Sequence, residues 1–272
     1  MSPAKSESAS QASSRVYDNN GQYSRTGILR YEKIFGPGYI STGGPETTET
    51  LCTRLGKALR QGVRVLDVGS GIGGAAIHLA KKYGARVTGI DLAPEMIAIG
   101  LERARESDAP ETIAFLIGDI LESTFPHKFD VIWSRDALMH IHDKPRLFAR
   151  LFDLLAPGGQ VVITDYARGT GPGSPEFQAY VRSTGYHLID PASYGKLLEG
   201  AGFVNVKVED ATEKFIEIMK REAERLERNR DDFMGMFSEA DLNYLIERWS
   251  MKDGFCRAGD MKWGIYQASR PA

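Results

Sequence analysis

A carboxylate and an imidazole in the middle of the chain have the residue types and spacing needed to act on an amine. Asp136 and His140 belong to the segment SRDALMH, which directly follows the apolar run FDVIW. A carboxylate can hold a cationic amine, and a neutral imidazole can accept its proton. A simple alkylammonium has a pKa of about 10.4, so an amine nucleophile needs such a base at neutral pH. The alternatives are a His140 that merely fills a turn and an Arg135 that is only a structural ion-pair partner.

A glycine-rich run earlier in the chain predicts where a cofactor could bind. Residues 63–68 are mostly β-forming, the glycines of 69–74 supply a turn, and apolar residues from 77 to 83 have helical spacing. This order of strand, turn and helix is one half of a nucleotide-binding α/β fold. Read literally, Gly69, Gly71 and Gly74 satisfy the G-x-G-x-x-G pattern of dinucleotide-binding proteins, with Asp91 in the place of the ribose-binding acid.

Asp67, two residues before the first of these glycines, favours a different cofactor. Its carboxylate should face whatever the glycine turn holds, where it would repel a pyrophosphate and attract a cation. S-adenosylmethionine carries an ammonium, a sulfonium, a ribose and an adenine, and no phosphate. The run DVGSGIGG resembles the first motif of class I methyltransferases, which have a further acid after the third strand, and Asp119 in FLIGDI matches that acid. Another α/β protein with a glycine-rich turn is the alternative.

The elements that must position these residues alternate between strands and helices, which predicts an α/β fold with a parallel sheet. Gly36, Gly43 and Gly44 separate two helices that precede the core. The segment Pro157-Gly158-Gly159 is expected to end one helix before the next strand begins. Predicted strands end at 68 and 91 and cover 113–117, 129–134, 160–165, 204–209 and 263–268, and predicted helices cover 27–35, 45–61, 94–106, 144–155, 191–200 and 212–230.

Composition favours a compact enzyme that acts on small molecules. The chain has 272 residues, 42% of them hydrophobic, and a net charge of −2, so it has no general attraction to nucleic acid. No apolar run approaches the roughly 20 residues needed to cross a bilayer, and the Ser/Ala-rich residues 1–15 read as a disordered tail. Cys52 and Cys256 suggest neither a disulfide nor a zinc site. We expect a cytoplasmic protein with no metal.

Further segments make the chain similar to the phosphoethanolamine N-methyltransferases of plants, nematodes and malaria parasites, from about Asn20 to Ser269. These segments are Gln22-Tyr23, Tyr31-Glu32, Ile34-Phe35-Gly36, Tyr39 to Gly44, SRDALMH, Thr164-Asp165-Tyr166, the spaced Tyr180 and Tyr186, Trp249-x-x-Lys252 and Lys262-Trp263-Gly264. The set is more specific than the glycine turn alone.

The resemblance implies a fold, a reaction and a set of site residues. The fold would be a Rossmann-like class I methyltransferase sheet, mostly parallel with an antiparallel last strand. It would form one domain over 16–272, with N-terminal lid helices in 16–61, a cofactor-binding core in 62–166, and substrate cap segments at 167–190 and 211–250. The reaction would be S-adenosylmethionine-dependent N-methylation of phosphoethanolamine or its mono- and dimethyl derivatives, toward phosphocholine and phosphatidylcholine. We expect the protein to be a monomer. S-adenosylhomocysteine would be the second product.

Tyr23 and His140 would pair over the reacting amine, and Asp136 would orient it. The implied donor-binding residues are Ile40, Ser41, Asp67, Gly69, Gly71, Asp91, Leu92, Asp119, Ile120, Ser134 and Arg135. The implied acceptor-binding residues are Tyr23, Asp136, Tyr166, Tyr180, Thr184, Tyr186 and Lys252. Tyrosine faces suit a product that becomes a quaternary ammonium, and Lys252 suits a phosphate.

One departure from the family pattern concerns the phosphate. The family usually has an arginine between the two spaced tyrosines, and here Thr184 stands in its place. A hydroxyl lacks the charged fork with which arginine binds phosphate. The chain could therefore bind phosphobases more weakly, prefer a more methylated intermediate, or methylate another small amine.

Two function classes besides methyl transfer are compatible with the glycine turn. An NAD-dependent oxidoreductase is disfavoured by Asp67 and by the absence of an evident hydride-transfer site in TDYARG. A noncatalytic cofactor-binding protein would be expected to lose Tyr23, Asp136 and His140, and all three are present.

Overall fold

A computed structural model describes residues 21, 23–108 and 110–272. The expected disordered tail at 1–15 and Gln22 of the resembling segments lie outside the described residues. Within the described part of the chain, no helix is both long enough and apolar enough to cross a membrane.

A seven-stranded sheet forms the centre of the molecule, in the order β3-β2-β1-β4-β5-β7-β6. Its strands are β1 (Arg64–Val68), β2 (Arg86–Asp91), β3 (Ile113–Ile117), β4 (Phe129–Arg135), β5 (Leu155–Arg168), β6 (Val204–Asp210) and β7 (Met261–Ser269). Strands β1 to β5 pair in parallel, and β7 is antiparallel to both β5 and β6. The expected α/β methyltransferase sheet with an antiparallel last strand is confirmed.

Helices cover both faces of this sheet. They are α1 (Arg25–Phe35), α2 (Gly44–Leu55), α3 (Gly74–Tyr83), α4 (Pro94–Glu106), α5 (Lys144–Leu154), α6 (Pro175–Thr184), α7 (Pro191–Gly200), α8 (Thr212–Arg228), α9 (Arg230–Met234) and α10 (Glu239–Arg257). Helix α2 ends six residues before the predicted boundary at 61, because Gly56 adopts φ +50 and a short 3₁₀ turn follows. Helices α6, α9 and α10 lack a counterpart among the predicted elements.

The segment Pro157-Gly158-Gly159 does not separate helix from strand as predicted. Strand β5 begins at Leu155, directly after α5, and Leu155 already pairs with Phe129 of β4. The next paired residue is Gln160, opposite Val131, so the intervening residues bulge out of the ladder. Leu155 is fully buried, and its packing draws the start of the strand into the core.

The sheet is apolar on both faces, as parallel sheets between two helix layers must be. Alternate residues of one strand enter different cores: Val65 packs with Val131 on one side, and Leu66 packs with Ile132 on the other. The second core is closed by α5 and α7, and the first by α2, α3 and the helices α8 to α10. We call α8, α9 and α10 the cap helices.

The N-terminal helices connect the cap helices to the core. Arg30 of α1 pairs with Asp241 at 2.8 Å, and Glu32 accepts hydrogen bonds from the Arg103 guanidinium of α4. The backbone N–H of Gly43 donates to Glu222 of α8 at 2.7 Å. Helix α1 therefore lies across the carboxyl end of the sheet, between the core and the cap.

Candidate active site

A cavity of about 420 Å³ opens at the carboxyl ends of β1 and β4, where the strand order reverses. Open α/β sheets bind ligands at this place. The cavity brings together these predicted site residues: Tyr23, Ile40, Ser41, Asp67, Gly69, Gly71, Asp91, Leu92, Asp119, Ile120, Arg135, Asp136, His140, Tyr166, Tyr186 and Lys252. Ser134, Tyr180 and Thr184 are not among its lining residues.

The glycine turn after β1 allows close backbone approach. Gly69 has φ +71, and a Cβ at this position would lie 2.2 Å from the Cβ of Ala137, so a side chain is excluded on two grounds. The N–H of Gly71 donates to a carboxylate oxygen of Asp91 at 2.9 Å. The turn and the end of β2 are thus fixed to each other on one wall of the cavity.

Three acids line this end of the cavity, and their hydrogen bonds differ. Asp91 accepts backbone N–H groups on both oxygens, from Gly71 and Ala93, and Asp119 accepts one from Leu121. Asp67 is buried, and among the described residues its Oδ2 has no hydrogen-bond partner. Burial raises the pKa of Asp67 to about 7. An unpaired buried carboxylate beside a glycine turn suits a cationic ligand.

Asp136 directly follows β4 and is held in one orientation. Its backbone adopts φ +49, a conformation that costs free energy for a residue other than glycine and is often kept at functional sites. Its Oδ1 accepts hydrogen bonds from Thr164 Oγ1 at 2.9 Å and Trp263 Nε1 at 2.8 Å. Within the described part of the chain, Oδ2 has no partner. One carboxylate oxygen is anchored, and the other remains for a ligand.

His140 and Tyr23 meet at the same cavity. Tyr23 Oη lies 3.4 Å from His140 Nε2, although the residues are 117 positions apart in sequence. Burial, with smaller effects of Lys144 and His187, lowers the pKa of His140 to about 4. The imidazole is therefore neutral at pH 7 and can accept a proton. Burial raises the pKa of Tyr23, which keeps its hydroxyl protonated.

The far end of the cavity is aromatic and cationic. Lys252 Nζ donates to Tyr166 Oη at 2.9 Å, and the rings of Tyr166 and Tyr186 lie 6.0 Å apart. Burial, followed by the charge of Arg248, lowers the pKa of Lys252 to about 8. Arg248 also lines the cavity and was not predicted. Its spacing of four residues from Lys252 was the available signal, since such residues share one helix face.

The predicted residues outside the cavity have structural contacts instead. Ser134 is fully buried because its side chain points back into the sheet, where Oγ donates to the carbonyl of Val68 at 2.7 Å. Thr184 Oγ1 donates to the carbonyl of Tyr180, one turn earlier on α6. Tyr180 packs edge-on behind Tyr186, with ring centroids 5.9 Å apart.

Arg135 lines the cavity but uses its guanidinium to hold the chain. It donates to the carbonyls of Thr42 and Gly44 and to Thr48 Oγ1, at 2.7–2.9 Å. These contacts tie the start of α2 to the end of β4. The structure thus favours a structural role, with carbonyl and hydroxyl partners in place of the ion pair considered from the sequence.

Glu49, Cys52 and His78 form a separate group whose potential ligand atoms lie within 4.8 Å of one another. None of the three lines the cavity. Glu49 accepts hydrogen bonds from both His78 and Lys82 of α3, so these side chains already balance its charge. These contacts account for the group as a junction between α2 and α3.

Comparisons with known proteins agree with this geometry. A family model described as a methyltransferase domain matches residues 45–208. Phosphoethanolamine N-methyltransferase 1 of Zea mays is 44% identical over 253 residues, which cover 93% of this chain and 50% of the maize protein. The chain thus spans about half the length of that relative.

Two further proteins match over most of the chain. A solved structure of Haemonchus contortus phosphoethanolamine N-methyltransferase 2, in complex with phosphomonomethylethanolamine and S-adenosylhomocysteine, superposes with a TM-score of 0.90 at 36% identity, covering 94% of this chain and 59% of that one. Phosphoethanolamine N-methyltransferase of Plasmodium falciparum is 34% identical over 262 residues, which cover 95% of this chain and 97% of the relative. The chain belongs to the phosphoethanolamine N-methyltransferase family.

Proposed function

We propose that the chain transfers the methyl group of S-adenosylmethionine to the nitrogen of phosphoethanolamine or of its mono- and dimethyl derivatives, toward phosphocholine. The observation that carries this proposal is the cavity itself. Its lining residues include the Asp67 carboxylate beside the glycine turn, Asp136 and His140, and Lys252 with nearby tyrosines. Family membership supports the same assignment.

The donor end of the cavity fits S-adenosylmethionine. The Asp67 carboxylate would hold the cationic part of the donor, Asp91 would meet the ribose hydroxyls, and Asp119 would meet the adenine. Ile40 and Ser41 would close this pocket from the loop before α2. The donor supplies a methyl group activated by a sulfonium, and the residues around it orient that group and exclude water.

The middle of the cavity can prepare the acceptor. Asp136 Oδ2 would accept a hydrogen bond from the substrate ammonium, and His140 Nε2 would take its proton. The freed lone pair then forms a bond to the methyl carbon as the carbon–sulfur bond breaks, so the sulfonium becomes a neutral thioether. Water is kept out by Tyr23, whose contact with His140 holds the start of α1 over the site.

The far end can hold the rest of the acceptor. Lys252 and the tyrosine hydroxyls would donate to phosphate oxygens, and the tyrosine faces would attract a nitrogen that gains methyl groups and loses N–H donors. A different small amine is the second candidate, because Thr184 offers its hydroxyl to its own helix and not to the cavity.

One panel of acceptors separates these two candidates. Methyl transfer from labelled S-adenosylmethionine would be measured with phosphoethanolamine, its monomethyl and dimethyl derivatives, and the three unphosphorylated counterparts. We expect activity only with phosphorylated acceptors, and the panel also shows which of the three steps is catalysed. Activity confined to unphosphorylated amines would contradict the proposed acceptor.

Phosphobase binding should weaken above about pH 8, because Lys252 loses its proton there in the ligand-free protein. The relevant probe is phosphocholine, whose quaternary nitrogen does not titrate and whose phosphate is a dianion above a pKa of about 6. Burial raises the pKa values of Tyr166 and Tyr186, so these neighbours remain protonated in the same range. Calorimetry should show the Kd rising by up to about tenfold per pH unit above pH 8.

The matched control for this titration is Lys252→Met, which removes the titrating group. Its phosphocholine Kd should be higher at pH 7 and should not change between about pH 7 and 9. A wild-type Kd that stays constant across that range would show that Lys252 does not contact the phosphate.

We also propose one methyltransferase domain over 16–272, with lid helices in 16–61, a cofactor core in 62–166 and substrate caps in 167–190 and 211–250. The contacts of α1 with both the core and the cap support the lid assignment. We place the protein in the cytoplasm, as a monomer. Cys52 and Cys256 are both free thiols, which suits a reducing compartment.

A further inference from the structure

We infer that Arg248 binds the phosphate of the acceptor and supplies, from helix α10, the guanidinium that Thr184 on α6 does not. The inference rests on the proposed function, because it concerns the phosphate end of the same cavity. It assigns to a residue of the cap helices the charge that the family pattern places at the position of Thr184.

Helix α10 presents two cations to the cavity. Arg248 and Lys252 both line it, and they stand four residues apart, on one face of the helix. The Lys252 ammonium donates to Tyr166 Oη, which fixes its position. Arg248 is half-buried, and its guanidinium carbon lies 5.7 Å from the ring centre of Tyr180 and 5.6 Å from that of Tyr244.

The two cations have no close ion-pair partner in the described part of the chain, although the charges of Asp136 and Glu222 act favourably on Lys252 from a greater distance. Within residues 21, 23–108 and 110–272, no carboxylate forms a salt bridge with either Arg248 or Lys252. Burial lowers the pKa of Lys252, and the charge of Arg248 lowers it further, as expected for two like charges near each other. Like charges at this spacing on a helix destabilise it, and a bound dianion would reverse that cost.

The geometry also connects Arg248 to the position of the missing arginine. Arg248 lies against Tyr180, and Tyr180 is the residue whose carbonyl accepts the hydroxyl of Thr184. Arg182, the nearest arginine on α6, is exposed and does not line the cavity. Arg248 therefore brings a guanidinium from α10 to the tyrosines that flank Thr184.

The test is the steady-state kinetics of Arg248→Met with the best phosphorylated acceptor. Losing a charge-assisted contact to phosphate should raise the acceptor KM by about 10- to 100-fold. The kcat and the affinity for S-adenosylhomocysteine should change little, because the substitution leaves Asp67, Asp136 and His140 in place. Arg248→Lys keeps the charge but loses the fork, so its KM should fall between those of Arg248→Met and the wild type.

A matched control is Arg257→Met, which makes the same change in the last turn of α10, where Arg257 is exposed and paired with Asp253. Its KM should equal that of the wild type. If Arg248→Met does not fold, Arg248→Lys decides: a raised KM supports the inference, and a wild-type KM overturns it.

The experiment separates failure of this inference from failure of the proposed function. A wild-type KM in Arg248→Met, together with a raised KM in Lys252→Met, would remove Arg248 from the phosphate site and leave the proposed function intact. A wild-type protein that uses no phosphorylated acceptor would overturn both.

Discussion

Replacing His140 with alanine should lower kcat by about 100- to 10,000-fold, the usual contribution of a positioned general base. The imidazole is buried, neutral at pH 7, and in contact with the Tyr23 hydroxyl, so it is placed to take a proton from a substrate ammonium. Donor binding should change little, because the acids at the glycine turn are untouched. Single-turnover methyl transfer and calorimetric titration with S-adenosylhomocysteine measure the two quantities separately.

The matched control for His140→Ala is His127→Ala, since His127 is exposed and does not line the cavity. Tyr23→Phe keeps the ring over the site and removes the hydroxyl, so its effect on kcat should be smaller than that of His140→Ala. Near-native turnover in His140→Ala would show that another group, or water, removes the proton.

The pH profile provides a second check on His140. With its pKa lowered to about 4, the free enzyme should show no loss of kcat/KM from histidine protonation near the usual value of about 6.5. An inflection near 6.5 that disappears in His140→Ala would mean that the imidazole is far better solvated than its burial indicates.

Sequence patterns predicted the sheet well because the apolar runs and glycine turns that indicate its strands are local in sequence. Strand β3 covers 113–117 as predicted, and the glycine turn places Gly69 and Gly71 where a positive φ is needed. The boundary between helix and strand predicted at Pro157-Gly158-Gly159 was wrong, because this segment lies inside strand β5. Proline and glycine indicate a local irregularity, whereas the burial of Leu155, a tertiary effect, decides that the ladder continues past it.

Site residues were harder to predict where the direction of a side chain, or packing against a segment distant in sequence, decides whether the residue reaches the cavity. Ser134 stands beside Arg135 in the sequence, but its side chain points to the opposite face of β4 and bonds to Val68. The spacing of Arg248 and Lys252 shows only that they share a helix face. Whether that face reaches the cavity depends on the packing of α10 against Tyr180 of α6, which is distant in sequence. Family resemblance supplied Lys252, but it could not supply an arginine at a position outside the segments that carry the resemblance.

Replacing Asp67 with asparagine should weaken binding of S-adenosylmethionine by about 10- to 100-fold, the cost of losing a charged hydrogen-bonding partner. The substitution preserves shape and removes only the charge, so it tests the electrostatic argument that favours this donor over a dinucleotide. Calorimetric titration of the wild type and Asp67→Asn with the donor, at pH 8, gives the comparison. The substitution should leave acceptor-side residues such as Lys252 unaffected, which phosphocholine binding can verify.

The affinity for S-adenosylmethionine should change with pH in a defined direction. In the free protein, Asp67 has a pKa of about 7, and the donor's cation stabilises its ionised form. Donor binding below pH 7 must therefore release a proton, and the affinity should fall as the pH falls from about 7 to 5. Titrations in buffers of different ionisation enthalpy should detect this proton in the wild type and not in Asp67→Asn.

The stability of the ligand-free protein should depend on pH in the opposite direction to the donor affinity. Because the folded pKa of Asp67 lies above its unfolded value of 3.8, the folded state binds more protons between those two values. The stability linked to this group is fully present below the unfolded pKa and is lost as the pH rises through about 7. The Tm difference between Asp67→Asn and the wild type should therefore shift in favour of the variant between about pH 5 and 8. The contrary outcome would be a Tm difference and a donor affinity that both stay constant over this pH range. It would show that Asp67 is already ionised in the free protein and that its pairing with a cation does not drive donor binding.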